Sequence, residues 1–442
     1  MDIYQLQPIL DALLAGAWQV FKVWWWLLLP CIFYFPAKHL YLWWLNWEVW
    51  AKEELNWILL EIIPPSEIEK PFRAMEDLIT AIWPVIDTAN WREVWAEGEF
   101  IIDPFWFSLE ISAKEGGEVH FYVRILKSQK SFYEAVIHAH YPDIEIKEVP
   151  DYTQSVPQDI PNEKYTLYGE DFILMKDNSY PIRTYKFFEI RPEEIEEPKR
   201  LDPLNSMLEA MSLLRKGEQF WFQLVAAPIT NNHVPWITQS EKLVEVLAKR
   251  VEEPTKFKSI TGEALRLLFF AKPPFQELDE RKESVIPVEM KLTPGEREVL
   301  GEVENKKSKL GFKVYMRSIY IAEHDVFFSP NGKIARSYMI HFNTENLNHI
   351  RYWNKTRTKV HFFFRKRRVY ARQRNMFKKY VNRFPPQYPH RDFGPGISIM
   401  NAEEISSIYH FPSKAALLPP AIPRVAAKKV APPSQIPVER EE

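Results

Sequence analysis

The chain has 442 residues, 46% hydrophobic and 26% charged, which is enough for two or three ordinary domains and far too apolar for a disordered chain. A single cysteine, Cys31, excludes a disulfide framework and a cysteine-based metal cage, and 13 glycines against 35 prolines leave little material for glycine-rich phosphate loops. The net charge of −2 hides a segregation: residues 351–383 hold 13 Lys/Arg and no Asp/Glu, and removing that +13 leaves −15 on the remainder.

Long apolar runs are confined to the N-terminal end, which excludes a polytopic membrane protein. Nine of the 16 tryptophans fall within residues 1–57, and Trp favours the membrane–water boundary, where its ring is apolar and its N–H can still meet water. Leu14 to Phe35 is 22 residues, about 33 Å as a helix against a hydrocarbon core of about 30 Å. Lys22 lies near the middle of that stretch, at a cost of about 2.5–3.5 kcal/mol that snorkelling reduces, and Pro30 predicts a kink. A membrane span is the leading reading; an interfacial or re-entrant helix and a buried helix are the alternatives. Asp2 and Asp11 in place of a basic start argue against a secretory signal, and Lys38 on the C-terminal side favours a cytoplasmic C-terminus. Residues 39–61 read as a second, Trp-rich amphipathic helix, either packed on a soluble body or continuing the anchor, and Pro64–Pro65 stops it.

The body reads as α+β, built from β–β–α–β-like or helix–strand units. Phe105–Ser112 and Glu118–Leu126 alternate as strands about Gly116–Gly117, with Val119, Phe121, Val123 and Ile125 on one face. A helix over Ser128–Tyr141 follows, with Phe132, Ala135, Val136 and Ala139 inward, then a strand over Ile144–Val149 whose Asp143, Glu145 and Lys147 form a solvated face. Pro150–Tyr180 and Arg191–Arg200 read as linkers rich in proline and acid. Asp202 caps a helix opened by Pro203, with Leu204, Met207, Leu208, Met211 and Leu214 inward and Gly217 as terminator, and the strand Phe220–Ala227 follows. Thr238 and Glu241 predict a capping box for a helix over Ser240–Val251. Thr293, Pro294 and Glu296 open a further capped helix, followed by Gly311 and the strand Phe312–Ala322, so the order capped helix, Gly, aromatic strand occurs twice as a weak internal repeat. From Leu417 the prolines predict an extended tail. The expected division is an anchor over residues 1–62, α+β units over 63–190, 191–290 and 291–412, and a Pro-rich tail over 413–442.

Catalytic signatures are missing. The nearest match to a phosphate loop, Asn331–Gly332–Lys333, has Phe327 where GxxxxGK needs its first glycine, and Asn331–Gly332 reads instead as a hairpin turn. There is no HExxH and no EF-hand loop, and the 11 histidines are scattered, so no catalytic residue, metal ligand or cofactor site is expected. The strong chemical signal is the basic segment. Lys355, Arg357, Lys359, Arg365, Lys366, Arg367, Arg368, Arg372, Arg374, Lys378 and Lys379 interleave with aromatics including Phe362, Phe363 and Tyr370. Basic side chains neutralise phosphates and aromatic faces receive unstacked bases, so these cations with Phe363 and Tyr370 are the candidate nucleic-acid contacts. A patch resting on anionic lipid or an acidic partner, and a solvated basic surface, are the alternatives.

At these residues a resemblance enters. GGEVHFYVRI, YPDIEIKEVPDY (Tyr141–Tyr152), YPIRTYKFFEI (Tyr180–Ile190) and LDPLNSMLEAMSLLRKGEQFWFQLVAAP resemble the N-terminal region of membrane-tethered bacterial ATPases, similar to type IV secretion and conjugative coupling ATPases of the HerA/FtsK superfamily familiar from candidate-phylum bacteria. NAEEISSIYHFP (Asn401–Pro412) and PRVAAKKVAPPSQIP resemble the join leading into the motor domain, and the chain ends where that motor would begin. The resemblance implies a non-catalytic, single-pass membrane component, its body cytoplasmic, in a type IV secretion-like DNA or protein translocation machine. The implied partners are membrane lipid, a separately encoded P-loop ATPase docking near residues 401–442, nucleic acid, and further copies of the chain. The alternative is a stand-alone membrane-tethered nucleic-acid-binding protein. Within the joining segment Asn401 predicts a helix cap, with Ile405 and Ile408 inward and His410 a packed histidine.

Overall fold

A computed structural model describes residues 3–53, 56–65, 68, 71–85, 106–188, 202–231, 234–248, 292–361, 363–386 and 396–412. Phe362, the linker 191–200 and the Pro-rich tail lie outside the described residues. The chain divides into two compact units, residues 1–57 with 88–104 and residues 58–87 with 105–442.

The first unit holds α1 (Ile3–Trp24) and α2 (Leu28–Glu53), joined by a tight 3₁₀ turn at Trp25–Leu27. Pro30 is the third residue of α2, where an N–H would have no intrahelical acceptor, so the proline opens a new helix instead of breaking one. Leu14–Tyr41 is one stretch of 28 residues long and apolar enough to cross a membrane, with mean hydropathy 1.4 and none of its described side chains buried. Ring pairs along it include Trp18–Phe21 at 5.7 Å, Trp24–Trp26 at 6.2 Å and Tyr34–Phe35 at 5.5 Å. The helix expected over 39–61 ends earlier, because the isoleucine-rich apolar run at 58–63 becomes β1 (Trp57–Ile63).

The second unit is α+β, built on a nine-stranded sheet. Its further strands are β2 (Phe107–Ala113), β3 (Val119–Leu126), β4 (Glu145–Val149), β5 (Tyr165–Leu174), β6 (Glu218–Pro228), β7 (Gly311–Glu323), β8 (Ile350–Tyr352) and β9 (Ser398–Asn401). The order is β4-β1-β3-β2-β6-β7-β5-β8. β9 pairs Gly311–Val314 of β7 along the edge that β5 takes over from Met316. Strands from all three α+β segments therefore share one sheet. β6 is buried along its whole length, so both faces of the sheet are covered there.

On one face, Phe220, Phe222, Leu224 and Ala226 of β6 join a core with Val119, Phe121, Val123 and Ile125 of β3. The helices closing it are α3 (Pro71–Ile82), α4 (Lys130–His140), α5 (Pro203–Ser212), α8 (Ile334–Met339) and α10 (Ala402–Ile408). α5 is capped as the sequence requires: Asp202 accepts from the Leu204 amide at 2.8 Å, Pro203 opens the helix, and the chain turns at Gly217 with φ +84°. Two further helices, α6 (Trp236–Leu247) and α7 (Pro294–Lys307), pack on each other, and Thr293 with Glu296 forms the expected capping box of α7. The opposite face of the sheet carries α9 (Arg365–Val381).

Four local expectations are corrected. Pro150–Tyr180 is no linker, since it contains β5 between β7 and β8; its alternation is masked by Glu170 and Asp171, two acids buried against arginines distant in sequence. Asn331–Gly332 makes no hairpin, because Asn331–Lys333 is a 3₁₀ turn feeding α8. There Gly332 lies against Tyr168 so tightly that a Cβ would sit 2.4 Å from the ring. α6 starts at Trp236 with no side-chain cap from its own first residues; Asn231 accepts from the Ile237 amide at 3.1 Å, and the Thr238 hydroxyl is taken by the Asn231 amide at 3.2 Å. In α4 the buried stripe is Tyr133 and Ile137, one position round from the expected set, and Phe132 stays 39% exposed.

The joining segment is interior. β9 completes the sheet, and Asn401 caps α10 as expected, in a capping box with Glu404. Glu404 receives the Ile182 amide at 2.9 Å and pairs at 3.0 Å with Lys306 of α7, itself buried. His410 lies between the Ser406 carbonyl and Asp202, 3.0 Å from the carboxylate that caps α5, and its ring is 4.2 Å from that of Phe72. Residues 398–412 are buried throughout, so the part of the expected ATPase-docking region over 401–412 presents no surface. The rest of it, 413–442, lies outside the described residues.

Candidate nucleic-acid interface

The basic helix α9 is held by its C-terminal half. Met376, Phe377 and Tyr380 are buried against Trp221, Ile319, Ile321 and Leu167 of the sheet, with the Trp221 and Tyr380 rings 5.5 Å apart. The close approach needs Gly169 of β5, where a Cβ would stand 2.8 Å from the Met376 side chain. Gln373 donates to the Leu167 carbonyl at 2.5 Å, fixing the helix against β5.

Immediately after α9 the chain turns at Arg383, with φ 54° and no exposed side chain. Its guanidinium reaches both oxygens of Glu110 at 3.0 Å, pairs with Asp151 and donates to the Val381 carbonyl at 2.7 Å. Tyr152 donates to the same Glu110 at 2.6 Å and meets the Tyr380 hydroxyl at 2.8 Å. Burial alone would raise the pKa values of Glu110 and Asp151, but the adjacent Arg383 outweighs it and holds both carboxyls below their usual range. A charge cluster this deeply buried around Arg383 and Glu110 survives only with its hydrogen bonds satisfied, so it defines where α9 leaves the sheet.

The N-terminal half of α9 projects into solvent. Arg365, Lys366, Arg367, Arg368 and Tyr370 are exposed, and the preceding Phe363 and Phe364 are 86% and 83% exposed. Phe364 occupies the N-cap with φ 54° and offers no side-chain cap, and the first turn contains no acid. Four cations therefore stand at the positive end of the helix dipole beside uncapped amides, an arrangement unfavourable within the chain and relieved by an anion.

The structure separates the candidate residues into two groups. Lys355, Lys359, Arg365, Lys366, Arg367, Arg368 and Lys378 are exposed, and none pairs with a carboxylate among the described residues; Lys355 alone lies over a ring, that of Trp353 at 5.7 Å. The remaining four are engaged within the protein. Arg357 pairs at 3.0 Å with buried Glu170, bonds the Tyr168 hydroxyl and stacks on Tyr352. Arg372 donates to the Arg357 carbonyl at 2.8 Å, Arg374 to that of Asp159 at 2.8 Å, and half-buried Lys379 to that of Pro386 at 2.5 Å. Burial, then the neighbouring charge of Arg317, lowers the pKa of Lys379, as burial and Arg368 do for Arg372.

Sequence reasoning missed the interior acids that claim Arg357 and Arg383. For Arg357 the signal was present in β5, where Glu170 and Asp171 interrupt the strand and demand buried cationic partners; for Arg383 it was Glu110 within β2. Phe364, one of the interleaved aromatics but not among the candidate contacts, doubles the exposed aromatic tip. Among the described residues no three His, Cys, Asp or Glu side chains converge to hold a metal ion. No protein-family model matches the chain, and no characterised protein is significantly similar to it.

Proposed function

We propose that this protein is a non-catalytic, membrane-anchored module that holds nucleic acid at the membrane through the projecting half of α9. The observation that carries the reading is the set of exposed cations without carboxylate partners, Arg365–Arg368 with Lys355, Lys359 and Lys378, beside the aromatic tip Phe363–Phe364. Cations of this density release counterions on meeting phosphate, and exposed rings suit unstacked bases better than paired ones. The apolar helical stretch Leu14–Tyr41 supports a single-pass anchor, and Lys38 near its C-terminal end favours a body on the cytoplasmic side.

The resemblance of the body to the non-motor region of type IV secretion and coupling ATPases supports a place in a DNA or protein translocation machine. In this reading the chain assembles with the P-loop ATPase that drives such a machine. Purification of the tagged chain from its native membranes tests the assembly: co-purification of a P-loop ATPase is expected, and recovery without one leaves the stand-alone tether. Binding is tested on the full chain in mild detergent, with single-stranded DNA and vesicles containing anionic lipid as competing probes. Preference for DNA is expected; binding to vesicles alone would transfer α9 to a lipid role.

A further inference from the structure

Tyr370 stands apart from the aromatic tip. It faces an open groove of about 860 Å³ whose near wall is Tyr370, Gln373 and Arg374 of α9, and whose far wall is the 159–164 loop with His324 beyond the end of β7. We propose that this groove is a subsite for one unstacked base of a single-stranded nucleic acid, with Tyr370 as its stacking face. The inference rests on the nucleic-acid reading above and adds to it the form of nucleic acid taken.

Three observations carry it. The first is position. Arg367, Tyr370 and Arg374 lie at i, i+3 and i+7 on α9 and so share one stripe, which runs about 10 Å from the cationic first turn into the groove. A strand whose phosphates rest on Arg365–Arg368 reaches the groove without leaving the helix. The second is charge. The projecting half of α9 is purely cationic, whereas Asp159 and Glu163 share the groove with Lys164, Arg374 and His324. Its two fixed cations are already held, Lys164 by Glu323 at 3.0 Å and Arg374 by the Asp159 carbonyl. Phosphate is therefore favoured on the helix tip, and a neutral ring with donors and acceptors is favoured in the groove. The third is preorganisation. The Asn162 side chain accepts from the Lys164 and Tyr165 amides at 3.0 and 2.7 Å, and Gln373 is bonded to β5, so both walls are set before a ligand arrives. The Tyr370 ring is half exposed and stacks on no aromatic ring among the described residues.

The test is an anisotropy titration of the full chain in mild detergent with two probes of equal length, about 15 nucleotides, one oligothymidylate and one abasic phosphodiester. The wild type is expected to prefer the oligothymidylate. Tyr370→Ala should weaken that probe by about 5- to 140-fold, the equivalent of one lost stack, and leave the abasic probe unchanged; Tyr370→Phe should restore it. Equal loss on both probes, or no loss, overturns the subsite while leaving the basic helix as a phosphate contact. If the wild type binds neither probe, the nucleic-acid reading fails and the subsite with it. Photocrosslinking of wild-type chain to oligo(4-thiothymidylate) needs no variant: adducts within residues 159–166 or 370–374 are expected, and adducts confined elsewhere refute the assignment.

Discussion

Replacing Arg383 by methionine removes the residue that fixes the C-terminal end of the basic helix while conserving much of its volume. In the native fold this guanidinium makes two 3.0 Å bonds to Glu110 and pairs with Asp151, with neither Arg383 nor Glu110 exposed to solvent. Removing one member of a buried, hydrogen-bonded ion cluster typically costs about 3–5 kcal/mol, because the partner charge stays desolvated. The pH dependence discriminates this cause from simple loss of packing. In the wild type both carboxyls are held below their unfolded-state values, so their contribution is complete above the usual carboxylate range and is lost as pH falls through the folded values. In Arg383→Met the largest opposition to burial is gone and the folded value of fully buried Glu110 rises, so stability increases as pH is lowered from neutrality, by up to about 1.4 kcal/mol per pH unit for that group, while the Thr153 hydrogen bonds still restrain part-exposed Asp151. Adding Glu110→Gln should recover part of the loss and flatten the inverted slope. Urea unfolding in mild detergent from neutral pH down to the carboxylate range, with hydrogen exchange of the α9 amides, measures both effects. A loss under about 1 kcal/mol, or a pH slope of wild-type sign, refutes the argument that this cluster anchors α9.

Changing Arg365, Lys366, Arg367 and Arg368 to alanine should flatten the salt dependence of single-stranded DNA binding by up to about three log units per log unit of salt. The same change should leave the melting temperature unchanged or slightly higher, since it removes cations from the positive end of α9; a lower melting temperature would show that these residues are structural. Truncation before Ser398 should abolish cooperative folding, because it removes β9, the capping helix α10 and the Lys306–Glu404 pair. The milder His410→Ala should cost about 1–3 kcal/mol through the lost bond to the buried Asp202 carboxylate, which keeps only its capping bond from Leu204, and lost packing on Phe72, measured by urea unfolding. Deletion of residues 3–53, which spares β1, should release the chain from membranes that retain the full protein through an alkaline wash; retention of the shortened chain would point to a second membrane contact.

Legibility followed the range of the interactions. Elements set by local rules were readable: the Asp202–Pro203 and Thr293–Pro294 helix starts, the Asn401 cap, and the alternating face of β3 each follow from a few adjacent residues. Elements set by distant partners were not. β5 was hidden because its acids are satisfied by Arg317, Arg336 and Arg357, more than a hundred residues downstream. The start of α6 was misplaced because its capping group, Asn231, lies five residues upstream of the helix. The interface was half readable for the same reason. The charge run coincides with α9 and the loop before it, yet it could not distinguish Arg357 and Arg383, which answer buried carboxylates, from Arg365–Arg368, which answer none among the described residues.

The central claim is that α9 presents free cations to a nucleic-acid backbone. Titration of the full chain in mild detergent with single-stranded DNA over a series of salt concentrations tests it most directly. If about five of the exposed cations contact phosphates, log K falls against log salt with a slope of about −3.5, so affinity drops roughly a hundredfold between about 50 and 200 mM. Binding that is absent at about 50 mM salt, or present with no salt dependence, contradicts the account.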